Sequence, residues 1–135
     1  MTKRRAQATV RLMVVHDHAG VRKGLASFFG HEPDMEVVSA TTCGAHVVDI
    51  VAELHPEVVL MQRSWGGIVA ARRLIDAHPE TRVAIVSASA DAQCRAEAAL
   101  CGAVGVVDLA APPPEAAALL RGLVTTTGGT KAQRW

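Results

Sequence analysis

The sequence predicts a single three-layer α/β domain, a five-stranded parallel sheet covered by helices on both faces. Three observations predict it. Short β-branched runs alternate with amphipathic stretches along the 135 residues. Every connection between successive runs is too long for a hairpin. The central runs are almost continuously Val, Ile and Leu, as in strands buried on both faces.

The first run, Val10–Val15, is interrupted only by Arg11 and reads as a buried strand. Gly20–His31 follows as a helix, with Val21, Gly24, Leu25, Phe28 and Phe29 at helical spacing. Pro33 and Asp34 break the chain before a second strand, Met35–Ala40, whose stronger alternation fits an edge position. Cys43–His55 places Val47, Ile50, Val51 and Leu54 on one helical face, and Pro56 ends it. Glu57–Met61 is the third strand. A turn through Ser64, Trp65, Gly66 and Gly67 leads into a helix that runs to His78, before Pro79. Arg82–Ser87 is the fourth strand, and Ala90–Cys101 an alanine-rich helix stopped by Gly102. Val104–Asp108 is the fifth strand. The last helix spans Pro114 to Val124, its prolines tolerated at a helix start. Right-handed crossovers and a doubly wound sheet give the flavodoxin-like strand order 2-1-3-4-5. Residues 1–9 read as a basic arm, 10–124 as the domain and 125–135 as a fraying tail.

Half the residues are hydrophobic, a fifth are charged and the net charge is +1. This balance excludes a disordered chain and argues against a nucleic-acid coat or membrane-surface protein. No apolar run approaches the ~20 residues that span a bilayer. No apolar segment of the roughly 7–15 residues a secretion signal needs follows the basic N-terminus before Asp17, so no such signal is read there and a cytoplasmic location is expected. Cys43, Cys94 and Cys101 have no metal-like spacing. Cys94 and Cys101 lie two helical turns apart, about 10 Å, beyond disulfide reach, and read as small buried hydrophobes.

In such a sheet any site lies beyond the carboxyl ends of the strands. Those ends bring together His16, Asp17 and His18; Gln62, Arg63 and Ser64; Ser87, Ala88 and Ser89; and Asp108 with Leu109. The stretches VVHDH (14–18), VRKGL (21–25), PDMEVV (33–38), HPEVVLM (55–61), HPETRV (78–83) and GAVG (102–105) make the pattern specific. They resemble the receiver domains of LuxR-type response regulators, over Val10 to Val124.

The resemblance implies a domain that accepts a phosphoryl group from a histidine kinase on an aspartate at the end of strand 3. Two acidic residues after strand 1 would hold Mg²⁺, a Ser or Thr after strand 4 would contact the phosphoryl group, and a lysine after strand 5 would offset its charge. The chemistry needs those types: a carboxylate nucleophile, oxygen ligands for a hard cation, and cationic partners for developing charge. Here the acceptor position falls on Gln62, whose amide oxygen is a weak nucleophile. The first acidic position is His16; the second, Asp17, is kept. The hydroxyl position, Ser87, is kept. The lysine position falls on Leu109, the switch aromatic on Val106, and the loop after strand 3 is shortened. A lysine without its carboxylates would be an unpaired, partly buried cation, so these losses are mutually consistent. The expected reading is a degenerate, non-enzymatic pseudo-receiver without cofactor. In it Asp17 can cap the following helix and Ser87 can bond nearby backbone.

Sharper readings remain beside it. His16, Asp17 and His18 include metal-ligand types, but on a strand end Asp17 points away from the two histidines, and a closed site lacks further ligands. No metal is expected. Neither serine sits in a Gly-x-Ser-x-Gly elbow, and Gly66-Gly67 is a weak phosphate-loop signal. Trp65 is either a lid over an apolar pocket left by the missing charges, or a contact for a partner or small ligand, together with Ser64 and Ser89. The basic arm, Lys3, Arg4 and Arg5, reads as a solvated tail. No helix-turn-helix follows Val124, so this domain is not expected to touch nucleic acid directly. The expected partners are a second copy, through helix 4, strand 5 and helix 5, or another regulatory protein. A small-ligand sensor and a phosphotransfer substrate with a displaced acceptor are the alternatives.

Overall fold

A computed structural model describes residues 9–125 of the chain. The predicted basic arm and tail, including Trp135, lie almost wholly outside the described residues. The element order is β1 (Val10–Val15), α1 (Ala19–Gly30), β2 (Met35–Thr41), α2 (His46–Leu54), β3 (Val58–Gln62), α3 (Trp65–Ala77), β4 (Arg82–Ser87), α4 (Ala92–Cys101), β5 (Gly105–Asp108) and α5 (Pro113–Thr125). The strands form one parallel sheet in the order β2-β1-β3-β4-β5, as the sequence predicts.

Alternation along each central strand divides the core into two layers. Met13, Val15, Val59, Met61, Val83 and Ile85 face α2, α3 and α4, and bury Val47, Val51, Leu74, Cys94 and Cys101 among them. Leu12, Val14, Leu60, Ala84 and Val86 face the other way, onto Phe29 of α1 and Leu120 of α5. Each fully buried Val or Leu stabilises the fold by roughly 1.5–3 kcal/mol relative to exposure. The two cysteines of α4 are therefore core residues, as their spacing predicts.

Arg11 explains how a cation interrupts a core strand. Its guanidinium donates to the carbonyl of His55 (2.8 Å), and its backbone N–H donates to Glu57 Oε1 (3.0 Å). His55 caps α2 in the left-handed region (φ 49°), a conformation that Pro56 follows. At the amino end of the sheet, Arg121 of α5 grips Asp34 (2.6 and 2.9 Å) and Glu32 (2.6 Å), tying α5 to the loop before β2. These hydrogen bonds hold the Asp34 carboxyl below its ordinary range.

Several boundaries move. β2 runs on to Thr41 and β3 takes in Gln62, while α2 starts at His46 rather than Cys43 and α4 at Ala92 rather than Ala90. The largest change is at α3. Ser64 accepts from the Gly67 N–H (2.9 Å) as N-cap, so Trp65, Gly66 and Gly67 form the first helical turn instead of a separate turn. Gly67 is required there, because a Cβ would overlap the carbonyl oxygen of Gln62. The helix therefore starts directly against the end of β3.

Candidate functional site

Parallel register places the ends of β1, β3, β4 and β5 side by side: Val15 pairs with Met61, Gln62 with Val86, and Ser87 with Asp108. The residues just beyond these ends form the crevice that the sequence singles out.

On its β1–β3 side the crevice is filled. Gln62 is 8% exposed. Its Oε1 accepts from the Asp17 backbone N–H (2.5 Å), and its Nε2 donates to Asp17 Oδ2 (3.1 Å) and Ser64 Oγ (2.8 Å). Asp17 Oδ1 accepts from the Cys43 N–H (2.8 Å). The Cys43 backbone bond, then the Gln62 amide, hold the Asp17 carboxyl below its ordinary range. The neutral amide thus joins the strand ends through donors and acceptors that are all engaged.

Asp17 does not cap the helix, contrary to the expectation from its place near Gly20. The N-cap of α1 is His18, whose Nδ1 accepts from Val21 N–H (3.1 Å), leaving the Asp17 carboxylate for the crevice. His16 Nδ1 accepts from the His18 N–H (3.1 Å), and burial, followed by the nearby His18, lowers its pKa. Both rings thus serve the backbone as acceptors. Cys43 is half-buried, and burial, reinforced by the Asp17 charge, raises its thiol pKa, the reverse of an activated nucleophile.

The β4–β5 side is built differently. Ser87, 4% exposed, donates to the Ser89 carbonyl (2.7 Å) and accepts from the Ser89 N–H (3.2 Å), the local backbone bonding expected of it. Arg63, the residue after Gln62, crosses to α4. Its Nε donates to Glu97 Oε1 (2.9 Å), Nη2 to Glu97 Oε2 (3.4 Å) and Nη1 to Ser87 Oγ (3.4 Å), with Asp91 3.8 Å away. The Glu97 bond raises the Arg63 pKa and lowers that of Glu97. Sequence reasoning set Arg63 at a strand end but gave it no role; a cation directly after the acceptor position was the available signal. Leu109 is 41% exposed and does not fill the crevice, and Val106 on β5 packs against the α2–α4 core layer.

Trp65 is 83% exposed, so it is not a lid over an apolar pocket. A cavity of about 350 Å³ lies beside it instead, between α2 and α3. It is lined by Asp17, Cys43 and Val48 on one side and Gly66, Val69 and Arg73 on the other. Among the described residues no group of three or more His, Cys, Asp and Glu side chains is gathered to hold a metal ion. No described helix is long and apolar enough to cross a membrane.

A five-stranded doubly wound sheet carries its sites at these strand ends, but the sheet alone fixes no function. Residues 12–116 match the response regulator receiver domain, and the chain belongs to that family. It is 32% identical over 85 residues to the transcriptional regulatory protein YhcZ of Bacillus subtilis, covering 61% of this chain and 40% of that protein. It is also 32% identical over 82 residues to the oxygen regulatory protein NreC of Staphylococcus aureus, covering 58% and 38%. The chain thus matches about two fifths of the length of these curated relatives. Among solved structures, a LuxR-family two-component response regulator from Aurantimonas sp. SI85-9A1 superposes with a TM-score of 0.77 at 26% identity, covering 90% of this chain and 87% of that one. The receiver domain of the putative response regulator NarL from Mycobacterium tuberculosis, at 23% identity, shares the fold with a TM-score of 0.73, covering 90% and 98%.

Proposed function

We propose that this receiver domain regulates without being phosphorylated, as a non-enzymatic protein-interaction module in transcriptional control or two-component signalling. The observation that carries this reading is Gln62. At the acceptor position stands a neutral amide, buried, with its oxygen and nitrogen committed to Asp17 and Ser64. An amide offers no carboxylate nucleophile, and the phosphoryl group would have to displace a complete set of hydrogen bonds.

The other positions agree. His16 replaces an acidic Mg²⁺ ligand, Leu109 offers no charge, and Val106 is not an aromatic switch. Ser87 and Asp17 act as structural groups, bonded to Ser89 and to Cys43 and Gln62. The domain occupies 10–124. It acts on protein partners, either another regulatory protein or a second copy through α4, β5 and α5, where exposed Ala96, Ala99 and Ala118 allow close helix approach.

Incubating the chain with acetyl phosphate and Mg²⁺ and measuring its intact mass tests the reading. The expected outcome is an unchanged mass. An adduct of one phosphoryl group, removed at alkaline pH, would overturn it and favour a displaced acceptor.

A further inference from the structure

The groove between α2 and α3 is independent of the acceptor position. On α3 its wall is Gly66, Val69, Ala70 and Arg73, residues recurring at the three- and four-residue spacing that makes one helical face. On α2 the facing wall includes Val47 and Val48, below Cys43 and Gly44. Gly66 and Ala70 put little side-chain volume into the space between the two helices.

Three features of this groove belong together. Trp65, 83% exposed, is the first residue of α3 and directly precedes Gly66 of the lining. Asp17, a carboxylate held below its ordinary pKa, lies at the upper end. Arg73 lies about 10 Å lower, two helical turns from Gly66, exposed and without a hydrogen bond or ion pair among the described residues. The groove thus has an anion at the top of its α2 side, a cation at the bottom of its α3 wall with an exposed aromatic just before that wall begins, and an apolar floor between.

We propose that this groove is a self-association surface whose occupant is a second copy of the chain, each inserting its Trp65 into the groove of the other. A two-fold axis across α3 turns the upper end of one copy against the lower end of the other. Trp65 then lies over Val69 and Ala70 of the second copy and stacks on its Arg73, while Arg73 faces the second copy's Asp17. The opposite charges make the surface complementary to itself, the condition for an isologous contact. A buried tryptophan is the commonest kind of interface anchor, and a guanidinium on its face adds a cation–π attraction. Two such anchors make a small interface, so the dimer forms at micromolar rather than nanomolar concentration.

The test uses the full chain carrying Trp135→Phe, so that tryptophan emission reports Trp65 alone, with sedimentation velocity run over the same concentrations. Dimer is expected to accumulate with concentration, and the emission to shift to the blue in step with it. Trp65→Ala and Ala70→Leu, which fills the groove from within, should each raise the dissociation constant at least tenfold. Mixed in equal amounts the two variants should regain part of the association, because the mixed dimer restores one complete tryptophan–groove contact. Arg73→Glu, on an exposed position, stands in should Ala70→Leu fail to fold. Ala99→Arg and Ala118→Arg, on the separate α4 and α5 surface, should leave the blue shift of Trp65 unchanged, whatever they do to contacts made there. A chain that stays monomeric up to millimolar concentration, a dimer with unmoved emission, or a dimer broken by Ala99→Arg but not by Trp65→Ala would overturn the proposal.

Discussion

The two sides of the crevice use opposite chemistry. On the β1–β3 side the neutral Gln62 amide accepts from the Asp17 N–H and donates to the Asp17 carboxylate and to Ser64 Oγ, and the lone carboxylate there is stabilised by a backbone N–H. On the β4 side a full cation, Arg63, crosses away from Gln62 and is held by Glu97 on α4. The difference shows two ways of satisfying strand-end polar groups. One side relies on a neutral amide; the other holds a charge but encloses it within the chain. Neither side presents a free pair of charges to a ligand.

Breaking the neutral side should have the largest effect. Gly67→Ala drives a Cβ into the Gln62 carbonyl, a backbone atom that cannot rotate away. Overpacking of that kind costs about 3 kcal/mol, measurable as a lower urea midpoint with an unchanged slope.

Next is Gln62→Asp, which sets a second carboxylate beside Asp17 and removes the Nε2 donor. Destabilisation of about 2 kcal/mol is expected at pH 7, from the lost hydrogen bonds and like-charge repulsion. The repulsion should relax as pH falls and one of the two carboxyls takes up a proton. The unaltered chain should behave in the opposite sense. The pKa of Asp17 is lowered on folding, so its contribution is complete above the ordinary carboxyl range and is lost as pH falls through the folded value. Denaturation of both chains between pH 3 and 7 separates the two curves.

The smallest effect belongs to the charged side. Arg63→Met removes a pair whose side chains are 25% and 33% exposed. The expected loss is small, because solvent screens the pair, and it shrinks further in high salt. Hydrogen exchange should quicken in the first turns of α4, where Asp91 and Glu97 lose their common partner, and stay unchanged in α1. A loss as large as that of Gly67→Ala would show that the enclosed ion pair, not the neutral network, holds the crevice together.

The fold was legible because its signals are local and repeated. Period-two and helical patterns alternate, and Pro33, Pro56, Pro79 and Gly102 mark the breaks, so the strand order followed from general rules. The strand-end residues were legible too, since parallel strands must end together. What each does there was less so. Asp17 and His18 can both cap a helix, and only the three-dimensional placement of Gln62 and the Cys43 N–H shows that the carboxylate goes to the crevice and the imidazole to the cap. Arg63 finds Glu97, 34 residues away, on another element, a pairing that no local pattern encodes. Ser64 as N-cap of α3 was readable, a serine three residues before the glycine whose N–H it accepts, but Gly66-Gly67 drew attention as a turn.

Gly67 also bears on how far the crevice can be altered piecemeal. With α3 set directly against the end of β3, the ends of β1 and β3 and the first turn of α3 share one small set of partners. An aspartate at 62 would meet Asp17 with no cation at 109 to balance it, and a lysine at 109 would add a cation with no carboxylate at 62. An insertion between Gln62 and Gly67 would withdraw Ser64 from the amide that relies on it. The crevice is one unit, in which each single change runs uphill and only several made together leave its groups satisfied.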